Sequence, residues 1–205
     1  MRFLKYPLFV SFLILAACNN ATKTVSVNAD TIVQTDPQQA TAINSVYLSE
    51  EPWINQDGQK TRLKDLTGKV QVVAMIFTSC GYACPKMVEN MRAIELALPA
   101  PLLKKVHFTL VTFDTDNDTA AALKLYARQK HLDSNWTLLH GTEDQVRMLS
   151  MLLDVQYSKL PLGGFNHSNQ MTILNQQGEI IKKIQGLDID PQRSLQVINS
   201  ILNKK

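Results

Sequence analysis

The sequence predicts an α/β domain: a central mixed sheet, helices on both of its faces, and an N-terminal hairpin extension. Three observations carry that expectation. Two apolar runs rich in β-branched residues, Val70–Phe77 and Val106–Phe113, have the length and composition of strands buried on both faces. Each is followed by a segment whose apolar residues recur at helical spacing, which calls for a crossover and parallel pairing. Near the C-terminus, Met171–Leu174 and Glu179–Gln185 flank Gln177-Gly178, which reads as a hairpin and brings antiparallel pairing into the same sheet.

In chain order, short extended pieces are expected around Ser45–Leu48 and Trp53–Gln56, with Asn55-Gln56-Asp57-Gly58 as a tight turn. Leu63–Leu66 fits a single helical turn. The strand Val70–Phe77 leads into a helix over Pro85–Leu98, because Pro is tolerated in a first turn where its missing N–H is not needed. Met87, Met91, Ile94 and Leu98 form one face of that helix and should meet the sheet. After Val106–Phe113 comes a helix over Thr119–His131, with Leu123, Tyr126 and Ala127 on one side, then a short strand at Trp136–Leu139. Thr142-Glu143-Asp144-Gln145 fits a capping box that opens a helix through Leu153. Asp190-Pro191 caps a last helix through Leu202. A βαβ start closed by ββα is the order of a thioredoxin-like fold.

The chain has 205 residues, with 21 Lys and Arg against 18 Asp and Glu, and its net charge of +3 is too small and too dispersed to point to nucleic acid. Its three cysteines are an odd number, which is informative in an oxidising compartment. Position explains the first. Arg2 and Lys5 precede an apolar run of twelve residues, Tyr6–Ala17, too short to span a bilayer as a helix. The run ends Leu15-Ala16-Ala17-Cys18, which resembles a bacterial lipobox; an ordinary secretory signal is the alternative. On the lipobox reading residues 1–17 are a signal peptide and Cys18 carries the lipid, whose several acyl chains suffice for stable anchoring. Residues 18–45 then form a lipidated start and a polar tether, spanning about 30 Å as a flexible coil, and residues 46–205 form the domain. The protein is expected in the bacterial cell envelope, on the extracytoplasmic side of a membrane.

Cys80 and Cys84 fall where the first long strand meets its helix, in Phe77-Thr78-Ser79-Cys80-Gly81-Tyr82-Ala83-Cys84-Pro85. Backbone N–H groups at a helix start favour the thiolate. Spacing of i,i+4 puts both sulfurs on one side of a turn, at a separation a disulfide accepts. The reduced pair equally offers two soft ligands suited to Cu(I), and one imidazole would complete a trigonal site able to hold Cu(II) as well. Thioredoxins use CxxC, so CxxxC departs from a plain dithiol oxidoreductase. A peroxiredoxin would need Thr three residues before its reactive cysteine, where this chain has Phe77 and Gly81.

Asp114, Asp116 and Asp118 resemble the start of a calcium loop. Thr119 replaces the required Gly and Leu125 the required Glu, so that reading fails. A carboxylate beside the cysteine site, with Asp114 the candidate, together with a helix cap, is the better use. Met87, Met91 and Met171 have core spacing.

The cysteine segment is similar to that of the Sco/SenC proteins, thioredoxin-fold copper chaperones of cytochrome oxidase assembly. The similarity runs from about Tyr47 to Leu202 and includes the Trp53–Gly58 entry hairpin, the Asp-rich turn after Val106–Phe113, and His167-Ser168 before a strand. The resemblance implies that Cys80, Cys84 and His167 are copper ligands. It also implies a copper-enzyme acceptor such as a cytochrome oxidase subunit, and a copper donor chaperone or a thioredoxin-like reductant as further partners. Gly163-Gly164 upstream of His167 reads as a loop that lets the ligand move on metal exchange. Two other readings stand beside copper delivery: a thiol–disulfide reductase needing only Cys80 and Cys84, and a non-catalytic docking lipoprotein.

Overall fold

The computed structural model describes residues 45–161 and 163–203. The expected signal over residues 1–17, Cys18 and the tether up to residue 44 lie outside the described residues. Within them the chain builds nine strands and five helices. These are β1 Trp53–Asn55, β2 Lys60–Thr61, β3 Val70–Ile76, α1 Ala83–Ala97, the short α2 Ala100–Leu103 and β4 Val106–Thr112. They continue with α3 Ala120–Gln129, β5 Trp136–His140, α4 Glu143–Leu153, β6 Tyr157–Lys159, β7 Phe165–His167, β8 Gln170–Leu174, β9 Ile180–Gln185 and α5 Pro191–Leu202. Single 3-10 turns stand at Val46–Leu48 and Leu63–Leu66.

Seven strands form one mixed sheet in the order β2-β1-β5-β4-β3-β8-β9. β3, β4 and β5 run parallel to their neighbours among themselves, and the flanking pairs β1–β5, β3–β8 and β8–β9 are antiparallel. Every residue of β3 and of β4 is buried, so both faces of the sheet centre are covered, as the uninterrupted apolar runs require. The thioredoxin-like architecture is therefore the one the order of elements predicts.

Local chemistry accounts for the boundaries. Thr142 caps α4 by accepting from the Gln145 N–H at 3.3 Å, and the Gln145 side chain returns the bond to the Thr142 N–H at 2.8 Å. Asp190 accepts from the Gln192 N–H at 3.0 Å at the start of α5. Trp136 stacks on Phe108 at 4.7 Å between centroids, and its buried indole N–H donates to the Glu95 carboxylate of α1 at 2.9 and 3.0 Å.

Three differences from expectation matter. α1 begins at Ala83, ahead of Pro85, so Cys84 sits inside its first turn rather than before it. The α2 turn, opened by Pro99, has too few residues for a periodic signal. Gly163-Gly164 lies in a loop as expected, but that loop joins two strands that were not expected and that form an antiparallel ribbon, with Tyr157 opposite His167 and Lys159 opposite Phe165. Leu160 N–H donates to Gly164 C=O at 3.0 Å to close it. Both glycines take positive φ, 91° and 77°, which side chains resist.

His107 in β4 is a structural histidine with a measurable signature. Burial, aided by the charge of Lys69, pushes its pKa down to about 4. Its Nε2 lies 2.8 Å from Thr137 Oγ1. The unfolded chain binds this proton near the ordinary value of 6.5 and the folded chain only near 4. Stability contributed by the neutral ring is thus complete above about pH 6.5 and is lost as pH falls toward 4. The expected loss reaches ~3 kcal/mol. Urea unfolding between pH 7 and pH 4 checks it: His107→Asn should flatten that part of the profile, and an unchanged slope would assign the acid sensitivity elsewhere.

Candidate metal centre

The centre forms where β3 ends. Past Ile76 the chain makes a tight turn in which the Cys80 N–H donates to Phe77 C=O at 3.2 Å. Thr78, inside the turn, is held by a buried carboxylate. Its N–H donates to Asp118 Oδ2 at 2.9 Å and its hydroxyl donates to Asp118 Oδ1. Asp118 is 1% exposed and also accepts from the Thr112 hydroxyl at 2.5 Å, at the end of β4. The turn delivers Cys80 to a half-buried position just ahead of α1. Its Sγ accepts from the Cys84 N–H at 3.3 Å, an unsatisfied donor of the helix start.

The third ligand candidate comes from the ribbon. His167, at the end of β7, puts Nε2 at 3.6 Å from Cys84 Sγ. Its Nδ1 lies 3.1 Å from Ser168 C=O. A carbonyl can only accept, so Nδ1 carries the proton and the Nε2 lone pair faces the sulfurs. Phe113 and Phe77 fix the ring, at 5.1 and 5.9 Å between centroids. The three donor atoms of Cys80, Cys84 and His167 all lie within 4.8 Å of one another. Two thiols and one oriented imidazole are a soft set that matches Cu(I), with the nitrogen extending it to Cu(II). The group opens to solvent through a depression of about 390 Å³ between Cys80–Ala83 and Asn166–His167.

The two thiols are not equivalent. Burial alone would raise Cys80, but the N–H groups of Cys84, Tyr82 and Ala83 point at its sulfur and hold it below the ordinary thiol value. Burial drives Cys84 strongly the other way, and the charges of Cys80 and Asp118 add to the rise. Cys80 is the more accessible and more readily ionised thiol, and Cys84 the protected one.

Asp114 is buried too, but its carboxylate accepts from the Asn117 side chain at 3.0 Å, and its own N–H is taken by Thr112 Oγ1 at 3.0 Å. It orders the turn after β4. Asp118 is the carboxylate that reaches the cysteine turn. The sequence groups Asp118 with Asp114 and Asp116 and offers Asp114 as the candidate; the path of the turn decides which acid points inward. Met87, Met91 and Met171 are fully buried core residues.

A family model described as SCO1/SenC matches residues 38–203. The chain belongs to the SCO1/SenC family. An SCO1 protein homolog of Bacillus subtilis is 27% identical over 143 residues, covering 67% of this chain and 72% of that one. An SCO2-like protein of Rickettsia conorii is 25% identical over 153 residues, covering 72% and 73%. The crystal structure of an SCO1/SenC family lipoprotein from Bacillus anthracis superposes with a TM-score of 0.68 at 28% identity, covering 75% of this chain and 93% of that one. Arabidopsis thaliana ScoI with copper bound shares the fold, with a TM-score of 0.65 at 19% identity over 75% and 96% of the two chains.

In this SCO1/SenC member the thiol asymmetry has a direct test. Iodoacetamide at neutral pH should alkylate Cys80 first in the reduced, folded protein, leaving Cys84 unmodified until denaturant is added. Peptide mass mapping would read it, and equal labelling of both cysteines would refute the assigned electrostatics.

Proposed function

We infer that this protein is a membrane-anchored copper metallochaperone. It binds one copper through Cys80, Cys84 and His167 and delivers it to a respiratory copper enzyme of the cytochrome oxidase type. The observation that carries the reading is the convergence of two sulfurs and one oriented nitrogen within 4.8 Å, from a turn, a helix and a strand. Solved structures of Sco proteins with copper bound, from Arabidopsis thaliana and yeast, share this fold and support copper as the cargo. Copper is released by ligand exchange. Cys80, the more accessible of the two thiols, yields first to an acceptor thiolate approaching over Gly81 and Tyr82, and Cys84 and His167 follow.

Titration of the reduced domain with copper tests the reading. The expected result is one equivalent bound with a Cu(II)–thiolate absorption band. His167→Ala removes a proposed direct ligand and should weaken binding by more than the roughly tenfold that losing an outer-shell partner costs. No binding by the reduced wild type, or unchanged binding by His167→Ala, would sink it.

A second reading, extracytoplasmic thiol–disulfide reduction, is favoured by the contrast between Cys80 and Cys84. The Cys80 thiolate attacks a target disulfide, and Cys84 then displaces the target from the mixed disulfide. Target thiols and a Cys80–Cys84 disulfide result, and a thioredoxin-like reductant returns the two electrons. This activity would survive His167→Ala, which separates it from copper binding.

The anchoring rests on the Leu15-Ala16-Ala17-Cys18 pattern, and the Bacillus anthracis relative, described as a lipoprotein, supports it. Cys18→Ser should move the protein from the membrane fraction to the soluble fraction. Retention in the membrane would refute lipidation at that residue.

A further inference from the structure

We propose that Asp118 is the positioning residue of the metal centre, acting through the Phe77–Cys80 turn. The inference deepens the copper reading and rests on it for the choice of metal. Three side-chain or backbone donors converge on this one carboxylate: Thr78 N–H at 2.9 Å, the Thr78 hydroxyl, and the Thr112 hydroxyl at 2.5 Å. Thr112 closes β4 and Thr78 opens the turn that ends at Cys80, so the carboxylate bolts the cysteine turn to the neighbouring strand. Its own N–H donates to Asp114 C=O at 3.0 Å, which ties it into the ordered turn after β4.

The geometry leaves Cys80 dependent on this clamp. Cys84 is fixed by α1 and by complete burial, and His167 by the ribbon and two aromatic rings. Cys80 lies between β3 and α1, in no regular element, and is half exposed. Apart from its own backbone bond to Phe77 and the Cys84 N–H at its sulfur, what aims the turn is the pair of bonds that Thr78 gives Asp118. Such outer-shell partners typically change metal affinity ten- to a hundredfold when removed. A clamp of this kind needs shape and acceptors rather than charge. An amide at position 118 keeps an oxygen for the Thr78 N–H and the Thr112 hydroxyl, and its NH2 can donate to the Thr78 hydroxyl, which then accepts.

The experiment compares Asp118→Ala and Asp118→Asn with wild type in the reduced soluble domain. Cu(I) affinity is read by competition with a chromophoric chelator, and thermal unfolding monitors the fold. Asp118→Ala should lose about tenfold or more in affinity while still folded at the assay temperature, and Asp118→Asn should restore most of it. Thr78→Val, which removes a single hydroxyl bond, should lose about fivefold and serves if Asp118→Ala does not fold. Wild-type affinity in folded Asp118→Ala or in Thr78→Val would make Asp118 a stability residue only and overturn the proposal. Asp118→Asn as weak as Asp118→Ala would overturn the clamp in favour of charge.

A copper-free readout separates this test from the function. In a glutathione redox buffer, Cys80 and Cys84 give up two electrons and two protons to oxidised glutathione and close a disulfide. Misplacing Cys80 should disfavour closure about tenfold in Asp118→Ala, or ~30 mV for this two-electron couple. If wild type binds no copper but this shift appears, the copper reading fails and the positioning stands. No shift together with intact copper binding overturns the positioning.

Discussion

The pairing of β3 with its two neighbours governs the site. Parallel pairing from Val70 opposite Val106 to Ile76 opposite Thr112 makes β3 and β4 end at the same edge of the sheet. The cysteine turn and the acidic turn therefore emerge side by side, within reach of one carboxylate. Antiparallel pairing of Ala74 with Met171 makes β8 begin where β3 finishes, so the residues just before β8 return to the same edge. His167 comes back to Cys84 for that reason, although 83 positions separate them in the chain. A shift of one residue in either register would exchange the faces of the strand and dismantle all three approaches.

Burial then differentiates the two thiols. Cys80, left half exposed beside three backbone N–H groups, is favoured as thiolate; Cys84, enclosed by the core, is favoured as thiol. A dithiol with one ready and one reluctant sulfur can hold a soft metal and can also relay electrons. The imidazole distinguishes these uses, since only metal binding needs it. Its protonated Nδ1 is committed to Ser168, so the free lone pair is available at no further cost in orientation.

Much of this was legible in the chain. The runs Val70–Phe77 and Val106–Phe113, the Thr142–Gln145 box and the Asp190-Pro191 cap depend on local periodicity and local hydrogen bonds, and the structure contains each. The strand-to-helix setting of Cys80 and Cys84 was legible for the same reason. The ribbon Tyr157–Lys159 with Phe165–His167 was not. Strands of three residues carry no period, and what holds them is a set of aromatic contacts among Phe77, Phe113, Tyr157 and Phe165 that exist only after folding.

The sequence by itself determined the fold class, the soft character of the cysteine pair and the family, because each is written in short-range pattern and residue chemistry. Tertiary structure alone decided the rest: which sulfur is exposed, how far His167 stands from them, and that Asp118 rather than Asp114 reaches the cysteine turn. Distances and desolvation arise between segments remote in the chain. They depend on register and burial, which no local pattern encodes.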